Sequence, residues 1–77
     1  MNDTELEPPI GAAVFDSLGE QFAYVKDVRG GLMKLELPMA RDYWLSTSHV
    51  SRIDGKDVYL DVSRHEAEDQ KVPGPAD

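Results

Sequence analysis

The clearest pattern along the chain has a period of two. Val58, Leu60 and Val62 alternate with Asp57, Tyr59 and Asp61, and Met33, Leu35 and Leu37 alternate with Lys34 and Glu36. Successive side chains of a β-strand point to opposite faces, so each segment predicts a strand with one buried face. Three further segments join them: 10–15, apolar with an early glycine; 21–28, β-branched and aromatic; and 42–45. Turn residues fall between them, at Asp16-Ser17-Leu18-Gly19-Glu20, Arg29-Gly30-Gly31 and 38–41. After Val50 and Ile53, the pair Asp54-Gly55 predicts a hairpin into the last strand. The middle of the chain has no helical period. Residues 10–62 therefore predict an all-β domain of five to six short strands. So few strands do not make two sheets, but they curl into a small, partly open β-barrel that removes most sheet edges. The predicted core is Ile10, Ala12, Val14, Phe22, Val25, Val28, Met33, Leu35, Leu37, Leu45, Val50, Ile53, Val58, Leu60 and Val62.

The flanks read differently. Residues 1–9 are acidic and end in Pro8-Pro9, which predicts a flexible, extended lead-in. Residues 63–77 are polar, end near Pro73-Gly74-Pro75, have room for a turn or two of helix over 64–71 and offer only Ala67 and Val72 as apolar anchors, too few to dock firmly, so a frayed acidic tail is expected. A folded segment this short buries only about 60% of its unfolded surface. The chain has no cysteine, so good packing and self-association are the ways left to gain stability.

The net charge is −7, much of it in the flanks at Asp3, Glu5, Glu7, Glu66, Glu68, Asp69 and Asp77. This balance disfavours phosphate backbones and anionic membranes. No basic segment followed by an apolar run opens the sequence, and no apolar run approaches the roughly 20 residues that span a bilayer. The expectation is a cytoplasmic protein with no membrane partner.

With these strands in place, the order of motifs resembles the PRC-barrel domains. Ile10-Gly11-Ala12-Ala13-Val14-Phe15-Asp16-Ser17-Leu18-Gly19 matches the family's aliphatic-glycine opening, first strand and Asp-x-x-Gly turn. Phe22-Ala23-Tyr24-Val25 matches the next strand, with Ala23 where glycine is usual. Trp44-Leu45-Ser46 leading to Val50 matches a later aromatic-aliphatic-proline signal, with Ser46 in place of proline and hence a less rigid turn. The family includes the barrels of the photosynthetic reaction-centre H subunit and of the ribosome maturation factor RimM, as well as stand-alone bacterial and archaeal members of unknown function. The resemblance implies a binding or assembly module with no catalytic residues to carry over.

The residues that invite chemistry have simpler readings. His49 follows Ser46-Thr47-Ser48, but a triad also needs a strained elbow and an oxyanion hole, and neither has a signal here. A turn whose hydroxyls satisfy backbone donors accounts for the segment. His65, Glu66, Glu68 and Asp69 have metal-ligand chemistry but sit on the expected mobile tail, where nothing rigid orients them. Asp54-Gly55-Lys56-Asp57 lacks the spacing of a calcium loop. No catalytic residue, metal site or cofactor is expected.

Two functional expectations follow. The first is a non-enzymatic interaction or assembly module that forms a homo-oligomer or binds another protein, with Tyr43, Trp44, Tyr59 and Tyr24 as its surface. Tyr43 and Trp44 are strand neighbours, so one of them faces outward. The alternative is an RNA- or ribosome-associated adaptor that contacts RNA through Lys26, Arg29 and Lys34 around a glycine turn, with tyrosines for stacking.

Overall fold

The computed structural model describes residues 7–75. Most of the acidic lead-in expected over residues 1–9 and the last two residues of the tail lie outside the described residues. The chain forms strands β1 (Ala13–Phe15), β2 (Gln21–Arg29), β3 (Leu32–Glu36), β4 (Tyr43–Ser46), β5 (Val50–Asp54) and β6 (Asp57–Leu60), with a 3-10 turn at Thr47–His49 and one helix, α1 (Arg64–Asp69). The two tightest hairpins sit where the turn residues predict. Gly30 and Gly31 both take positive φ, 57° and 80°, between the paired Arg29 and Leu32, as a two-residue hairpin turn requires. Gly55, at φ 63°, opens the β5–β6 turn.

All six strands form one sheet in the order β4-β3-β2-β1-β6-β5. Every pairing is antiparallel except β1 with β6, where Val14 lies opposite Val58. Strands β4 and β5 are the two edges and do not pair with each other, so the sheet is open. Yet only residues 47–49 separate them. Four residue steps reach at most about 14 Å, whereas the outer strands of a flat six-stranded sheet stand about 24 Å apart. The sheet is therefore curled until its edges approach at this end. Ser46 caps the 3-10 turn by accepting a hydrogen bond from the Ser48 backbone N–H at 3.1 Å. Thr47 ties the turn to the opposite hairpin, its N–H donating to the Gly31 carbonyl at 2.9 Å.

The core lines the concave side. Val14, Val25, Met33, Leu35, Leu45, Val58 and Leu60 are fully buried, as alternation predicts. Val28, Leu37, Ile53 and Val62 are only half-buried and pack against its margin. Ile10 departs from the expected core and is 66% exposed. Gly11, at φ 91°, turns the chain there, so the first strand begins at Ala13 instead of residue 10 and Ile10 faces solvent. Asp16 is the one buried charged residue among the described residues, and its Oδ1 accepts from the Leu18 and Glu20 N–H groups at 3.0 Å each.

The segment after residue 62, expected to fray, is ordered through the helix and beyond. Ser63 and Glu66 form a reciprocal capping box: the Ser63 hydroxyl accepts from the Glu66 N–H, and the Glu66 carboxylate accepts from the Ser63 N–H. Ala67 is fully buried against the core. Beyond α1, the Val72 N–H donates to the Trp44 carbonyl at 2.9 Å and covers part of the outer edge of β4. Two apolar anchors suffice because a sheet edge supplies the remaining contact. No helix among the described residues is long and apolar enough to cross a membrane.

Candidate functional site

A concavity lies where α1 crosses the end of the sheet. A groove of about 360 Å³ is lined by Gln21, Phe22, Leu37 and Tyr43 from the sheet and its margin, by Pro38 and Ala40 of the loop, and by Arg64, His65 and Glu68 of α1. A second hollow of about 380 Å³ shares Leu37, Ala40, Tyr43 and Glu68 and continues to Arg41, Asp42 and Lys71. Alternation directs Leu37 and Tyr43 toward the core side of β3 and β4, and the capping box fixes the helix that forms the far wall. Between Pro38 and Ala40, Met39 is fully exposed and holds φ at 61°, an uncommon left-handed conformation for a residue with a side chain.

Of the four aromatic residues singled out in the sequence, only Tyr43 lines this groove. It lies across from Leu35 on the concave face, and its hydroxyl is buried with no hydrogen-bond partner among the described residues. Burial, reinforced by the nearby Glu68 charge, pushes its pKa up to about 12, so the ring stays a neutral phenol. Trp44 points to the convex side, where the chain's own tail covers it. A Cβ at Gly74 would stand 2.8 Å from the indole Nε1, and the Lys34 ammonium lies 5.9 Å from the ring centroid. Tyr59 stacks on Phe15 at 4.9 Å between centroids, and the Arg52 guanidinium sits 4.2 Å from its ring. Tyr24 is 45% exposed on the convex face, opposite Glu36. The four are thus spread over both faces of the sheet.

The three cations suggested for RNA are each engaged. Lys26 donates to Asp42 at 3.1 Å, and that hydrogen bond and charge raise its pKa. Arg29 pairs with Asp27 at 3.3 Å, and Lys34 lies against Trp44. At the 3-10 turn, the Ser46 and Ser48 hydroxyls bond each other at 2.8 Å, while His49 Nδ1 faces the Asp61 carboxylate at 3.4 Å. The serines thus satisfy local groups, as the sequence suggests for this turn. Glu66 is occupied by the helix cap, and among the described residues no three histidine, cysteine, aspartate or glutamate side chains converge as metal ligands.

The loop 37–42 carries no motif in the sequence. One signal did point to the helix, the Ser63-x-x-Glu66 capping pattern. No protein-family model matches the chain, and comparisons with curated proteins and with solved structures found no match.

Proposed function

We propose that this chain is a non-enzymatic protein-interaction module that associates with itself, carried on a partly open, PRC-barrel-like curl of sheet and acting in the cytoplasm. The observation that carries the reading is the groove between α1 and the 37–43 segment, with the fully exposed Met39 on its rim. A groove that combines apolar Phe22, Leu37 and Tyr43 with polar Gln21, Arg64 and Glu68, beside a protruding apolar side chain, has the mixed composition of a protein interface. The small core supports the same reading, since a chain without cysteine gains stability by association. The engagement of Lys26, Arg29 and Lys34 with neighbouring side chains weighs against an RNA surface, so the adaptor reading is not carried further.

Sedimentation velocity over a concentration series tests this. The expected result is a shift from an 8.6 kDa species toward twice that mass as concentration rises. A single 8.6 kDa species at concentrations up to about 1 mM, where even a weak dimer forms, would refute self-association.

A further inference from the structure

Resting on the self-association reading, we infer that the occupant of the groove is a second copy of this chain, and that each copy inserts its Met39 into the groove of the other. The first argument is adjacency. Met39 lies between Pro38 and Ala40, both of which line the groove, so projection and cavity share one patch. A two-fold axis beside the loop then satisfies both copies at once, because residue i meets j and j meets i. The second is backbone cost. A left-handed conformation is strained for methionine and free for glycine, yet this position keeps a long apolar side chain entirely in water. Methionine is unbranched and adapts to an irregular groove whose lining combines Phe22, Leu37 and Tyr43 with the polar Gln21, Arg64 and Glu68.

The third argument is charge. Two chains of net charge −7 repel each other, so contact is favoured where the surface is not acidic. The rim of the two hollows carries Arg41, Arg64 and Lys71 against Asp42 and Glu68, with Asp42 already bonded to Lys26. A patch with both signs is self-complementary under a two-fold rotation. The β5 edge is the weaker surface for a second copy. It carries a bulge at Ser51 and the charged Arg52 and Asp54, features that keep sheet edges from pairing.

The test compares wild type with Met39→Asp and Met39→Gly by sedimentation equilibrium, with circular dichroism to verify the fold. Wild type is expected to dimerise, and both variants to weaken the dimer at least about 100-fold, because symmetry removes the buried side chain twice. Met39→Gly accepts the left-handed φ without strain, which offsets the entropy that glycine adds to the unfolded chain, so its monomer is expected to fold like wild type. A wild-type dimer that survives Met39→Asp, or one lost in Met39→Asp and retained in Met39→Gly, overturns the insertion and leaves self-association standing. A monomeric wild type overturns both and leaves the groove to a foreign partner. The chain has no cysteine, so introduced thiols report position. Met39→Cys chains mixed with Glu68→Cys chains are expected to cross-link between copies. Equal cross-linking to Leu18→Cys, an exposed position on the β1–β2 turn, overturns the assigned contact.

Discussion

Replacing Tyr43 by phenylalanine removes one oxygen that is buried and makes no hydrogen bond among the described residues. The ring itself continues to pack against the core margin. A buried hydroxyl without a partner costs about 1–3 kcal/mol relative to one in water, so its removal is expected to stabilise the fold by about 1 kcal/mol. For a domain of this size that corresponds to a rise in Tm of roughly 4–8 °C. Urea titration followed by the emission of the single tryptophan, Trp44, measures the change at the lowest usable protein concentration, where association contributes least. The alkaline limb supplies a second readout. An unfolded tyrosine ionises near pH 10, while Tyr43 in the fold holds its proton to about pH 12. Between those values the folded chain binds more protons than the unfolded one, so stability falls as pH rises from about 10 to 12. Below pH 10 the tyrosine is neutral in both states and none of this stability is lost, and the phenylalanine variant lacks the alkaline loss altogether. A variant destabilised by about 1 kcal/mol at neutral pH, or one that loses stability over the alkaline range as steeply as wild type, would refute the reasoning.

Asp16→Ala removes the acceptor of two backbone N–H groups and is expected to cost about 2 kcal/mol in urea unfolding, whereas Asp16→Asn, which keeps an oxygen at Oδ1, costs less than half of that. Equal losses in the two variants would mean that the charge, not the acceptor, holds the turn. Gly74→Ala drives a methyl group to within 2.8 Å of the Trp44 indole nitrogen, so the tail must lift. The expected outcome is a red shift of Trp44 emission with a stability loss below about 1 kcal/mol, and an unchanged spectrum would show that the tail does not shield the ring.

The sequence shows the strands more plainly than it shows the site. Alternation identifies the buried faces of β3 and β6 because side-chain direction depends only on the parity of the position. The glycine hairpins are legible because positive φ leaves a chemical mark. The start of β1 is misjudged because the same glycine that suits a strand opening also suits the turn at Gly11, and only the tertiary path decides between them. The short helix over 64–71 is legible, but its docking is missed although its capping box is written at Ser63 and Glu66. Its apolar anchors look too few until Trp44 is found next to Val72, twenty-eight positions away. The groove has the same character. Leu37, Tyr43 and Glu68 meet only in space, and no local period records it. Of the exposed aromatics that alternation promises, Trp44 and Tyr59 are covered by the tail and by Arg52, contacts made by side chains from other segments.

The three residues of β1 join two halves of the molecule that are each built from local hairpins. On one side β2, β3 and β4 form a meander. On the other, β5 and β6 form a hairpin that meets the rest of the sheet only through β1. Its partner residues Ala13 and Asp57 are forty-four positions apart, and the Ala13 N–H reaches the Lys56 carbonyl at 2.9 Å. Local hairpins form in about 1–10 μs, while a pairing that closes so long a loop carries its entropy before any contact repays it. The β1–β6 pairing is therefore expected to form after the local hairpins, and a mutation at Ala13 or Val58 to slow folding less than it speeds unfolding. Opening of that same seam bares the edges of two strands at once, β1 and β6.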